Sequence, residues 1–212
     1  PFVYDPVAAS YDEDGRLYVI EMRGYSEQKD ENLSDVRLLE DTDGDGKFDK
    51  STVFLANMTW PTAVFCYDGG VFLGVPPDLL YAKDTNGDGV ADEVKTVFTG
   101  FSLSNVQGLL NSFIWGPDNR IYAAISSSGA EVSRPDDPSV PAISLRGRDF
   151  SFDPRTLDFR AESGGAQHGM SFDNFYHRFA SMNSDHIQLY MIDDRYLARN
   201  PYLSAPTPRI SI

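Results

Sequence analysis

The chain has 212 residues, with 18 Lys and Arg against 32 Asp and Glu and a formal net charge of −14. Such an acidic balance excludes gripping nucleic-acid phosphate by bulk charge and argues against docking on anionic lipid, because both need a basic face. At 41% hydrophobic and 13% aromatic residues the chain can bury a core. Its longest apolar stretches, such as Val71-Phe72-Leu73, fall far short of the roughly 20 residues of a spanning helix, so no membrane insertion is expected of this segment.

Short alternating runs of Val, Ile, Leu, Phe and Tyr, punctuated by Gly, Asp, Asn and Pro, dominate from Val7 to about Ser184. No segment sustains helical apolar spacing, so the class is all-β. One turn-plus-strand phrase recurs: Asp12-Glu13-Asp14-Gly15-Arg16-Leu17-Tyr18-Val19, then Tyr67 to Leu73, Gly116 to Ala123 and, with a longer turn, Phe172 to Ala180. The repeat falls at roughly 50 to 60 residues, close to the length of a propeller blade. It predicts a β-propeller with Leu17, Val71, Ile121 and Phe179 at equivalent inward positions. The rival, a β-sandwich, would show turns every 8 to 12 residues without that longer period. Four units are visible. Four blades can close a ring, but the start at Pro1 without Met and the strand-like end at Pro208-Arg209-Ile210-Ser211-Ile212 read as a larger propeller cut short, so residues 1–212 are expected to be a single partial domain of a longer chain.

A second repeat lies inside the first. Leu39 to Lys50 carries Asp41, Asp43, Asp45 and Asp49 at positions 1, 3, 5 and 9 of a calcium loop, and Ala82 to Glu93 repeats the pattern with Asp84, Asn86, Asp88 and Asp92. Alternate residues of a tight turn aim oxygens at one centre, and Gly46 or Gly89 supplies the sharp turn at position 6. Thr52 and Lys95 stand at position 12 in place of the usual Glu, which lowers the expected affinity. The competing reading is a solvated acidic hairpin whose side chains cap their own turns without metal. Each loop is followed by Thr-Val-Phe, so each is a hairpin between two strands.

Single Cys66 makes no internal disulfide and reads as a small buried thiol. Asn105-Val106-Gln107-Gly108-Leu109-Leu110-Asn111-Ser112 leads into the third-blade strand with unpaired amides, and such strand leads gather where propellers bind ligands. Asn105, Gln107 and Asn111 are therefore candidate ligand contacts. Of the three histidines, His168 stands among glycines in Gly164-Gly165-Ala166-Gln167-His168-Gly169-Met170, and His186 follows Asp185. Both are candidate bases, expected to converge with the amides at one end of the axis. No His-x-x-x-His pair, serine-hydrolase elbow, phosphate loop or dinucleotide fingerprint is present. Asp193 to Pro201 is the one plausible helical turn, ended by the proline.

The phrases Leu39-Glu40-Asp41-Thr42-Asp43-Gly44-Asp45-Gly46, Pro77-Asp78-Leu79-Leu80, Lys83 to Gly89, Asn105 to Ser112, Trp115-Gly116, Phe152-Asp153-Pro154-Arg155-Thr156 and Arg195 to Pro201 resemble the propeller domain of large bacterial proteins called membrane-bound dehydrogenases. These proteins, abundant in planctomycetes and verrucomicrobia, are related to soluble quinoprotein glucose and sorbosone dehydrogenases. The resemblance implies a six-bladed propeller with about four blades in this chain, an extracytoplasmic (periplasmic or secreted) location, a sugar or polyol substrate, and often a downstream haem c domain. It also points to pyrroloquinoline quinone. The family's base, however, is a His shortly before a Gly-Pro-Asp strand lead, and that neighbourhood here runs from Asn105 to Trp115 without one; Asn and Gln are no substitute at neutral pH. The quinone thus lacks its usual partner, and His168 or His186 would have to supply the base from another blade. Two functions follow: a sugar or polyol oxidoreductase, or a non-catalytic calcium-stabilised propeller that binds carbohydrate or a partner protein.

Overall fold

Alternating sequence puts 46% of the described residues in strands and 4% in helix, an all-β composition. The computed structural model describes residues 3–126, 128–200, 202 and 209–212. Two units divide the chain, residues 1–99 with 134–136, and residues 100–133 with 137–212.

In the first unit, β1 (Pro6–Tyr11), β2 (Leu17–Glu21), β3 (Ser34–Glu40) and β4 (Lys50–Met58) form one antiparallel sheet in that order. Strands β5 (Ala63–Tyr67), β6 (Gly70–Val75), β7 (Asp78–Lys83) and β8 (Glu93–Phe101) pair in the same up-and-down fashion. Each strand pairs with its successor because short hairpin loops permit only an antiparallel neighbour. Tyr18, Ile20, Val36, Leu38 and Phe54 from the first sheet share a core with Val64, Val71, Leu73 and Ala82 from the second. Removing a ring as fully buried as that of Phe54 costs about 3 to 5 kcal/mol. All six residues of β6 are buried, as expected of an inner strand. A Cβ on Gly70 would lie 2.6 Å from the Tyr81 hydroxyl and 2.7 Å from the Ala82 carbonyl, so only glycine fits there.

In the second unit, β9 (Asn111–Trp115) and β10 (Ile121–Ala124) are followed by a hairpin of β11 (Ala130–Ser133) and β12 (Ile143–Ser144), then by β13 (Arg148–Phe152) and β14 (Phe159–Ser163). The main sheet runs β14-β13-β10-β9. The remaining strands, β15 (His168–Phe172), β16 (Arg178–Ser181), β17 (Gln188–Tyr190) and β18 (Arg209–Ser211), form a second four-stranded sheet in sequence order. A single helical turn, α1 (Asp194–Leu197), interrupts it. It is shorter than the predicted helical stretch, and the proline read as its stop, Pro201, lies outside the described residues, as do Pro1 and Pro208.

The repeated phrase proves to be one hairpin used again. Asp12 donates its amide to the Arg16 carbonyl (3.0 Å), Gly116 to Arg120 (2.8 Å) and Asp173 to His177 (3.1 Å). The next residues are Leu17, Ile121 and Arg178, and Val71 follows the shorter Tyr67–Gly70 hairpin in the same way. The predicted equivalence therefore holds for three positions and is corrected at the fourth, where Arg178, not Phe179, is the counterpart. The turn before β16, expected to be longer, has the same five residues as its sisters, so Phe179 falls one residue past the equivalent position, which in a strand exchanges the two faces. Phe179 and Leu17 are half-buried, whereas Val71 and Ile121 are fully enclosed. Cys66 is half-buried; its thiol donates to the Ser10 carbonyl (3.5 Å), and burial pushes its pKa up to about 11, so it is a poor nucleophile.

Candidate functional site

The acidic loops connect β3 to β4 and β7 to β8, and they fold alike. In the first, the Asp41 carboxylate accepts the amides of Gly44 and Gly46, both at 2.8 Å, Asp43 accepts that of Asp45 (3.2 Å), and Asp45 accepts that of Lys47 (2.9 Å). In the second, Asp84 accepts the amides of Gly87 and Gly89, both at 2.7 Å, Asn86 that of Asp88 (2.9 Å), and Asp88 that of Val90 (2.8 Å). Gly44, Gly46, Gly87 and Gly89 all lie in the left-handed region with φ between 77 and 86°, which explains glycine at positions 4 and 6. Asp49 and Asp92 face another way, accepting the hydroxyls of Thr42 and Thr85. Carboxylate oxygens of Asp41, Asp43 and Asp45 lie within 4.8 Å of one another. The Gly46 amide and its neighbours hold the Asp41 carboxyl below its usual range. Burial pushes Asp84 the other way, but the amides of Gly89 and Gly87 outweigh it and the net shift is downward. Both stay ionised, as a hard divalent cation requires.

The strand-lead residues gather at one end of the second unit. Ser126 donates its amide to the Ala166 carbonyl (2.9 Å), and the Asn111 side-chain amide donates to the carbonyls of Leu109 (2.8 Å) and Gln167 (2.9 Å). Gly169 donates to the Ser112 hydroxyl (2.9 Å), which brings the start of β15, and with it His168, beside the start of β9. Asn105 caps the short turn Val106–Gly108 by accepting the Gln107 amide (3.0 Å). The Asn111 amide, expected to be unpaired, is thus spent on the backbone, because a buried side chain must satisfy its polar atoms, whereas Asn105 and Gln107 are exposed. His168 and His186 are both exposed, His186 beside a shallow apolar recess with Gly169, Met170 and Ile187.

A cleft of about 680 Å³ opens at the opposite, turn-bearing end of the same unit. Sequence reasoning missed it. Its aromatic wall is Tyr122, Phe172, Tyr176 and Tyr190, with Tyr122 and Phe172 packed edge to face at 5.2 Å. Arg178 also lines the cleft, its guanidinium 4.3 Å from the Tyr190 ring centre and 5.7 Å from that of Tyr122. Arg178 is 3.6 Å from Asp149 and donates to the Ser163 carbonyl. Asp149 is fully buried, and burial, against the pull of Arg178, raises its pKa to about 6. Glu162 on β14 accepts the Ser151 hydroxyl at 2.6 Å. Burial raises its pKa too, opposed by Ser151, Arg178 and Arg120. At the rim, His177 is 2.8 Å from Asp173 through Nδ1. The one available signal was Arg178 itself, a charged residue in a slot that holds apolar residues in the sister hairpins.

Several antiparallel sheets in succession define an all-β protein of propeller-like architecture. The chain is similar to a solved structure of luciferin-regenerating enzyme, with a TM-score of 0.58 over 92% of this chain and 58% of that one. At 9% identity the likeness is one of fold. The chain belongs to the family described as domain of unknown function DUF7133, whose model matches residues 1–212. No curated protein matches it. Among the described residues no helix is long and apolar enough to cross a membrane.

Proposed function

We propose that this chain is a calcium-braced propeller domain of the six-bladed type, part of an exported sugar or polyol oxidoreductase. The observation that carries the reading is the acidic hairpin, whose Asp41, Asp43 and Asp45 oxygens crowd within 4.8 Å. Three carboxylates that close repel one another, and a divalent ion relieves the repulsion more fully than water does. The twin loop offers Asp84, Asn86 and Asp88 in the same fold, and Asp49 and Asp92 complete the two ligand sets by turning from their threonines or through water. Without a bidentate Glu, affinity belongs with the extracellular modules, about 10⁻⁴ to 10⁻³ M, in keeping with an extracytoplasmic protein. His168 or His186 takes the substrate hydroxyl proton at the strand-lead end. A downstream haem c domain is the redox partner this reading requires.

Non-catalytic binding of carbohydrate or a partner protein is the second reading, favoured because the Asn111 amide is committed to the backbone. Thermal melting tests the calcium brace. Millimolar calcium should raise the melting temperature through linkage to the native state, and the double substitution Asp43→Ala, Asn86→Ala should remove the increment. A melting curve indifferent to chelator would point to metal-free hairpins. A dye-linked dehydrogenase assay on the full-length protein across a sugar panel separates the two readings, since only the first predicts turnover.

A further inference from the structure

We propose that the turn-end cleft of the second unit binds a small organic ammonium ion, held by its aromatic wall and by Glu162. The arginines of the cleft wall are already in ion pairs, Arg160 with Asp158 (2.9 Å), Arg195 with Asp193 (3.0 Å) and Arg178 with Asp149 (3.6 Å). Asp194 pairs with Arg148. Two carboxylates of the wall, Glu162 and Asp118, make no ion pair among the described residues and accept hydroxyls, from Ser151 (2.6 Å) and Tyr122 (3.1 Å). Arg178, already paired with Asp149, and Arg120, which shares Asp158 with Arg160, compensate Glu162 only in part, since burial still outweighs them. Electron-rich ring faces beside an undercompensated carboxylate form the environment that attracts an ammonium group.

The backbone supplies an independent observation. In the five-residue hairpin turns the fourth position is left-handed, and it is occupied by Gly15 (φ 79°) and Asn119 (φ 60°), residues suited to it. In the turn before β16 the same position is Tyr176 (φ 68°), an uncommon choice for a bulky side chain that costs on the order of 1 kcal/mol. Tyr176 is 69% exposed and lines the cleft, so its ring recovers little of that cost by burial within the protein. A ligand under the ring accounts for retaining it. The volume suits a compact molecule of one or two rings.

The inference does not depend on the calcium reading, because the acidic hairpins take no part in the cleft. Calorimetric titration of the 212-residue chain compares choline with its neutral isostere dimethylbutanol, and glucosamine with glucose. At least one amine should bind about tenfold more tightly than its neutral partner, with the preference shrinking at high salt. Glu162→Gln should abolish the preference, and Tyr176→Gly should weaken amine binding about tenfold while leaving the melting temperature unchanged or higher. Equal binding of amines and neutral partners, or no binding of either, would overturn the proposal. So would a Tyr176→Gly protein that binds as before or melts earlier, because Tyr176 would then be structural. Glu162→Gln, which keeps the hydrogen bond to Ser151, decides the matter if the turn variant fails to fold.

Discussion

Arg178 and Asp149 show how one charged residue in an apolar slot reshapes its surroundings. Val71 and Ile121 fill the equivalent positions with hydrocarbon, whereas Arg178 brings a guanidinium that must be stacked and paired, and the Tyr122 and Tyr190 rings, Asp149 and the Ser163 carbonyl provide that. Removing one partner of a buried pair leaves the other uncompensated. Arg178→Met should therefore destabilise the chain by about 3 kcal/mol at pH 8. At pH 4, where Asp149 is neutral in the variant, the cost should be smaller. Urea denaturation at the two pH values checks it, and equal costs would place the arginine's contribution in packing alone. For Asp149 itself the folded-state value near 6 lies above the ordinary 3.8. Protonation therefore favours the fold, and the stability it lends is full below about pH 4 and is lost as pH rises through 6.

At the scale of elements, close backbone approach sets which sequences the hairpins and sheets accept. A Cβ on Gly164 would collide with the backbone nitrogen and carboxylate of Asp149, so Gly164→Ala should lower the melting temperature by several degrees and disturb the Asp149–Arg178 pair. Gly46 is a contrasting case. Space around it is open and only its φ of 86° resists a side chain, so Gly46→Ala should cost about 1 kcal/mol and weaken calcium binding by tilting the Asp41 cradle. A melting temperature and a calcium affinity both equal to the parent's would show that the loop tolerates a relaxed turn. The hairpins were legible in the sequence because turn chemistry is local: Asp12, Asp41, Asp84 and Asp173 each cap the amides a few residues ahead. The cleft was not, because it joins Tyr122, Glu162, Arg178 and Tyr190 from four different strands, a juxtaposition that long-range pairing alone creates. The histidines drew attention by residue type, yet His168 and His186 are exposed. The more elaborate polar network is built from Arg120, Ser151 and Glu162, whose positions in alternating strands look unremarkable one at a time.

For the whole molecule, the succession of antiparallel sheets and the propeller-like likeness follow from a period visible in the sequence, while the one-residue error at Phe179 shows that the period fixes strands better than faces. A net charge of −14 makes the folded chain repel itself. Sodium chloride should accordingly stabilise it modestly by screening, and calcium at equal ionic strength should stabilise it more if the hairpins take the ion specifically; identical melting temperatures in the two salts would reduce the effect to screening. The central claim, that the twin acidic hairpins are calcium sites, is tested most directly by a crystal structure grown in calcium with anomalous scattering recorded. One peak is expected among Asp41, Asp43 and Asp45 and a second among Asp84, Asn86 and Asp88. Ordered hairpins with no anomalous density, still closed on their own amides and threonines, would contradict it.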